Sequence, residues 1–287
     1  MLSRLAPVRV TVAYAIVLCI VGVTVPALGP RAQATVVSQM STNLHNLARG
    51  RLGTLIGSAF ITDGDDLYAW LPGLVCLLAL GELFWRGGRL VVAFALGHIG
   101  ATVLVAVGLA VAVEARWLPM SIARADDVGI SYGAAAVLGA LTSVVPRRWR
   151  PAWVGWWSGI ALLAASGADF TAVGHAVALT LGMGLSVRLR PDARWTPLRG
   201  VLLAVAVAFG YVTLTGASPL AAPAGGLAGL LTALAAQRIN HRRRRQRARA
   251  ERIGPCRRAT ANAESAAGRD VPPIRWVSTP EQPAGRA

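Results

Sequence analysis

"DDVGISYGAAAVLGALTSVVPRRWRP" (Asp126–Pro151) has two acids at one end and three arginines at the other. Between them Val128–Val145 carries no charge. A helix crosses the hydrocarbon core with about 20 apolar residues, within a range of about 17–25. The stretch therefore predicts a membrane helix with an acidic outer end and a basic inner end. Working outward, seven more runs qualify or nearly do: Val8–Leu28, Leu67–Phe84, Leu90–Val113, Ala152–Ser166, Phe170–Val187, Val201–Gly216 and Leu220–Ala236. In lipid every backbone N–H and C=O must be paired internally, so runs this apolar are read as helices. The predicted class is an all-α polytopic membrane protein.

Composition agrees with this class. The chain of 287 residues is 54% hydrophobic and 15% charged, with a net charge of +16. Its mean hydropathy is +0.52. A soluble domain of this size would need more polar surface. All 29 basic residues are arginine. With the N-terminus inside, the inner segments are "WRGGR" (Trp85–Arg89), "PRRWRP" (Pro146–Pro151), "RLRPDARWTPLR" (Arg188–Arg199) and the C-terminal tail. The outer segments hold Asp63, Asp65, Asp66, Glu114, Asp126, Asp127 and Asp169. This alternation satisfies the positive-inside rule, and dropping any span would put an arginine cluster outside. The expected location is the cell membrane, multi-pass, with both termini cytoplasmic. "AQA" (Ala32–Ala34) resembles a signal-peptidase site, but the first run is longer than a usual signal core and reads as a retained helix.

Residues 29–66 form the longest outer segment, and part of it is apolar enough to lie in the interface. Residues 237–287 are polar, basic and proline-containing, and are expected to be disordered. The run "HRRRRQRARAER" (His241–Arg252) is expected to rest on anionic lipid, at about 1 kcal/mol per arginine near the surface, rather than on nucleic acid. Cys19, Cys76 and Cys256 support no disulfide framework or metal site, and are expected to be neutral buried thiols.

Two histidines, His98 and His175, fall inside spans, where an ionisable side chain is costly and points to function. Ser131 lies about four residues from the outer end of its span, and His175 about five from the outer end of its own. At 1.5 Å rise per residue, both sit roughly 5–8 Å deep. The two spans run parallel, so a neutral His175 could meet Ser131 and take its proton. His98 lies deeper and matches less well. These residues have plainer roles too. An early helix serine often caps or back-bonds to a carbonyl, and a membrane histidine often only packs. The small residues around both favour close helix contact whatever the chemistry.

Four segments resemble the rhomboid intramembrane serine proteases: "RLGTLIGSAF" (Arg51–Phe60), "LLALGELFWRGGRLVVAFALGHIGA" (Leu77–Ala101), "GISYGAAAVLGAL" (Gly129–Leu141) and "GHAVALTLGMGL" (Gly174–Leu185). They look like, in order, the approach to the second helix, the turn at Glu82 with the third helix, the Gly-x-Ser-Gly nucleophile motif, and the histidine-bearing sixth helix. The resemblance covers about residues 8–188. It implies a rhomboid-like six-helix core over 1–188, two extra C-terminal transmembrane helices over 189–236, and a basic cytoplasmic tail over 237–287. It implies Ser131 as nucleophile, His175 as general base and Gly129 at the tight entry to the fourth helix. The substrates would be transmembrane segments, or clients if the protein only binds them, with membrane lipids as the other partner. No cofactor or metal is implied. Two departures stand out. Tyr132 occupies the place of the glycine that usually follows the nucleophile. "DDLYAWLPGLVCLL" (Asp65–Leu78) lacks the family's oxyanion-binding His and Asn, and loss of one such donor typically costs about 10²–10³ in rate.

Overall fold

The computed structural model describes residues 6–61, 67–124, 130–167, 169–192, 194–216, 220–242 and 246. Each of the eight apolar runs forms a helix over most of its described length, and no strand occurs among the described residues. The helices are α1 (Arg9–Ala27), α2 (Pro30–Met40), α3 (Leu44–Ala48), α4 (Thr54–Gly57), α5 (Leu67–Glu114), α6 (Ile130–Ala140), α7 (Arg150–Ala165), α8 (Phe170–Leu185) and α9 (Pro197–Thr215). A further helix, α10, runs over 222–242. Ala6–Ala27, Ala69–Glu114 and Pro197–Thr215 are long and apolar enough to span a membrane, and Ile130–Ser143 and Phe170–Leu185 are shorter apolar helices. Outward faces of α5, α7 and α9 carry Val91, Val107, Val111, Leu162, Val201 and Val212, all exposed. Exposed aliphatic side chains on several helices suit contact with lipid.

The expected second and third spans have no loop between them. Their helices meet at Arg86, whose φ of 68° and ψ of 160° interrupt α5. The chain reverses there: a Cβ at Gly81 would stand 3.1 Å from Leu90 Cδ1. In a straight helix those residues lie roughly 13.5 Å apart along the axis. This backbone region is essentially confined to glycine and costs a side-chain-bearing residue about 1–3 kcal/mol. Arg86→Gly is therefore expected to stabilise the fold by about 1 kcal/mol, seen as a rise of roughly 2–4 °C in thermal midpoint in detergent. The lost Arg86–Asp192 pair, 3.6 Å apart and exposed, subtracts little.

The three arginine-rich segments converge beside this reversal. Arg150 donates from Nε to Val145 O at 2.9 Å and from Nη2 to Ser143 O at 2.6 Å. Trp195 Nε1 donates to Val144 O at 3.3 Å, and Trp85 Nε1 to Ser143 Oγ at 3.0 Å. Arg89 Nη1 reaches Arg190 O and Asp192 Oδ2, while the Asp192 amide donates to Phe84 O at 2.8 Å. Arg199 lies over the Phe84 ring. Helix C-termini leave carbonyls without partners and carry partial negative charge, so guanidinium groups there satisfy both needs.

The first helix is capped from a distance. Glu82, 3% exposed, accepts from Val10 N–H at 3.0 Å, Thr11 N–H at 2.8 Å and Thr11 Oγ1 at 2.8 Å. The described part of the segment expected to be outer, residues 29–61, does more than lie on a surface. Within it Ser41, Thr42, Asn43, Asn46, Thr54 and Ser58 are buried. Asn46 Nδ2 donates to Ser38 O and Ser41 O, and Asn43 caps α3 through Asn46 N–H. Thr54 Oγ1 donates to Arg51 O, and Tyr14 reaches in to donate to Ala59 O. Irregular backbone at membrane depth survives only when its polar groups are met by protein. The segment folds down along α5 as far as His98, roughly 24 Å along that helix from Glu114.

Glycines set the helix spacing. At Ala136, α6 is held between Gly97 of α5 and Gly182 of α8, and a Cβ at either glycine would overlap Ala136. Gly139 meets the backbone of Leu179 and Met183 in the same way. Farther out, Gly155 and Gly159 of α7 meet Gly229 and Gly225 of α10 backbone to backbone. These are two facing small-xxx-small stripes, which let helices approach closely without a hydrophobic driving force.

Candidate functional site

The site begins with α6, which packs against α5, α8 and α9. Ten of its eleven residues, Ile130 and Tyr132 through Ala140, are buried. The exception is Ser131, in the first turn and half-buried. Asp126, Asp127 and Gly129, expected to cap and lead into this helix, lie outside the described residues. His175 falls where the sequence put it, in the second turn of α8. That helix is capped by Asp169, whose Oδ1 accepts from Thr171 N–H at 3.0 Å.

The helices that carry Ser131 and His175 are in direct contact, and Tyr132 is the side chain that joins them. Its ring is 2% exposed and meets the His175 ring edge-on, with centroids 5.3 Å apart and planes at 83°. The phenol lies against Gly174, where a Cβ would overlap the ring. Tyr132 thus replaces the small residue of the motif with a ring seated beside the imidazole. Gly174 is what makes room for it. His175 Nε2 is buried and has no hydrogen-bond partner among the described residues, so no hydrogen bond joins it to Ser131. His175 also lines a cavity of about 460 Å³ together with Ser166, Asp169, Thr171, Thr213 and Thr215, between the ends of α7, α8 and α9. Its hydroxyl and carboxylate groups add polar atoms to an otherwise largely apolar recess next to the imidazole.

The stretch expected to lack oxyanion donors packs against the added helix. A Cβ at Gly73 would stand 2.7 Å from Phe209 Cβ of α9, and one at Gly210 of α9 would stand 2.6 Å from Leu138 of α6. Pro72 sits inside α5 without ending it.

His98, set aside on depth, has a close polar partner. Its Nε2 lies 3.1 Å from Ser58 Oγ, and its ring stacks on Phe94. Depth matching from helix ends could not find this pair, because Ser58 belongs to the folded-in loop. Among the described residues no group of three or more His, Cys, Asp and Glu side chains could hold a metal. Cys19 and Cys76 are free and half-buried rather than fully buried, and Cys256 lies outside the described residues.

A family model described as rhomboid-like protein matches residues 3–194. No curated protein and no solved structure matches the chain. The match takes in the Glu82 cap, the Arg86 reversal, the Ser131 helix and the His175 helix. It covers two thirds of the sequence, and on that ground the chain belongs to the rhomboid-like protein family, a family of membrane proteins.

Proposed function

We propose that this membrane protein is an intramembrane serine endopeptidase that cuts transmembrane segments, with Ser131 as nucleophile and His175 as general base. The observation that carries the reading is the uncommitted, buried Nε2 of His175. It sits on the helix packed directly against the one that offers Ser131, half-buried on a helix otherwise buried. An imidazole nitrogen left without a partner away from water is costly. It becomes useful when a hydroxyl rotates to it as substrate arrives, and catalytic hydrogen bonds often tighten only in the complex. In the step itself, Ser131 Oγ bonds to the scissile carbonyl carbon and its proton passes to His175 Nε2. The C–N bond then breaks and the amine leaves with that proton. Water repeats the sequence to free the acyl group. N–H groups at the start of α6 would face the oxyanion in place of the absent His and Asn.

The reading extends to layout. Residues 1–188 form the six-helix core, 189–236 add two transmembrane helices, and 237–287 form a cytoplasmic basic tail on anionic lipid. The convergence of the arginine segments at one end of the bundle supports an inner face there, with both termini cytoplasmic. A serine-directed fluorophosphonate is expected to label the protein at Ser131 in detergent, and Ser131→Ala to lose that adduct. Equal labelling of the Ser131 peptide in wild type and His175→Ala would overturn the dyad.

One observation favours a second reading, in which the protein binds or escorts membrane clients without cutting them. Tyr132 fills the space beside His175, and the oxyanion pair is missing. On this reading, client co-purification survives the Ser131→Ala, His175→Ala double variant, and no cleavage product forms in wild type.

A further inference from the structure

We propose that Ser58 and His98 form a second nucleophilic site, separate from Ser131, which takes a long-chain acyl ester from the bilayer. Three observations carry it. First, Ser58 Oγ and His98 Nε2 are 3.1 Å apart, with Ser58 1% and His98 3% exposed. This is the reach a general base needs. Second, the protons can be arranged to suit. Thr42 Oγ1 lies 2.9 Å from Ser58 Oγ and 3.1 Å from Thr54 O. Thr54 O already accepts from the Ser58 amide at 2.9 Å. Thr54 O can take both donors, so the Thr42 proton has two acceptors in reach, Thr54 O and Ser58 Oγ; when it goes to Ser58 Oγ, the Ser58 proton points at His98 Nε2. Third, His98 walls a cavity of about 380 Å³ with Tyr14, Ile56, Ala59, Phe60 and Phe94. Ile56, Ala59 and Phe60 lie within two residues of Ser58 in the chain. A hydrogen bond that merely pinned the loop would explain the Ser58–His98 contact. It would not by itself place an apolar recess against the imidazole, open at an edge where Ile56, Val91 and Ile99 are exposed and a chain can enter.

The recess is lined almost wholly by aliphatic and aromatic side chains, so its occupant is a hydrocarbon chain. Ser58 Oγ attacks the ester carbonyl and its proton moves to His98 Nε2. The carbon–oxygen bond to the alcohol breaks, and the alcohol leaves with that proton. Water, deprotonated by His98, then releases the acid and restores Ser58.

The test uses full-length protein in mild detergent with hexadecyl and ethyl fluorophosphonates, with adducts located by peptide mass. The hexadecyl probe is expected to modify the Ser58 peptide in wild type and equally in Ser131→Ala. His98→Gln is expected to slow it about 100-fold, the lower end of general-base contributions. Ala95 also lines the recess, and Ala95→Phe, which adds a ring to its wall without altering Ser58 or His98 themselves, is expected to remove the advantage of the hexadecyl over the ethyl probe. The adduct is read in wild type, so a Ser58→Ala variant that fails to fold does not decide the matter. A folded wild type that carries no Ser58 adduct overturns the proposal, as does a His98→Gln rate equal to wild type. Labelling at Ser131 alone also overturns it. Labelling at Ser58 alone supports it and counts against the Ser131 reading.

Discussion

Gly182→Val is expected to prevent assembly of the helical core. The position is buried in α8, and a Cβ there would overlap Ala136 O and stand 2.7 Å from Ala136 C. The obstacle is backbone, so no rotamer change relieves it. To admit even one methyl group, α6 and α8 must separate. That separation would also disturb Gly139 against Leu179, and Ala136 against Gly97 on the far side. Overpacking a core costs about 1–3 kcal/mol when side chains can yield, and a two-helix displacement exceeds that. The expected outcome is loss of the monodisperse, detergent-soluble form, or a fall in thermal midpoint of roughly 6–12 °C or more, for about 3 kcal/mol or more. Gly184, two residues on, supplies the control. It is exposed, and a Cβ added there would meet nothing within 4 Å. Gly184→Ala is expected to be neutral or to gain about 0.5–1 kcal/mol from helix propensity. If Gly182→Val and Gly184→Ala unfold at the same temperature, the account of close helix contact fails.

Glu82→Ala is expected to destabilise by about 3–5 kcal/mol, because it strips three donors of one buried carboxylate at once. Val10 N–H and Thr11 N–H are among the first donors of α1 and have no partner within their own helix. The carboxylate also opposes the positive end of the helix dipole. Alanine leaves those donors unmet, each costing about 1–3 kcal/mol. Glu82→Gln is expected to fall between, since its oxygen can still accept while its amide N–H group faces other donors. Thermal unfolding in detergent ranks the three. If alanine proves no worse than glutamine, the cap is not what holds the first helix.

These cases show what could be read from residues alone. All eight apolar runs came out helical, because their length and lack of charge leave lipid-exposed backbone no other structure. Ser131 and His175 sit within their first two turns, since helix rise alone sets that depth. The reversal at Arg86 was not readable: nothing in "WRGGR" tells that a turn will fall on the arginine rather than on the adjacent glycines. The inward fold of residues 41–61 was hidden because "STNLHNLARG" is polar, and polarity normally signals solvent. Here the polar side chains meet the loop's own backbone instead. The seat of Tyr132 depended on Gly174, 42 positions away, and such pairings are set by packing rather than by local pattern. The facing glycines of α7 and α10 were present in the sequence as Gly155-xxx-Gly159 and Gly225-xxx-Gly229, a small-residue signal at the right spacing.

The eleven residues of α6 rise roughly 16 Å, about half the hydrocarbon thickness. A lipid-facing helix that short would force the bilayer to thin around it. Helix α6 escapes this because its neighbours, not lipid, surround it. Hydrophobic mismatch therefore acts on α1, α5 and α9, while the position of Ser131 is set by the glycine contacts at Ala136. Reconstitution into bilayers of different acyl length is then expected to change how the whole bundle tilts. The Ser131–His175 spacing should stay as it is.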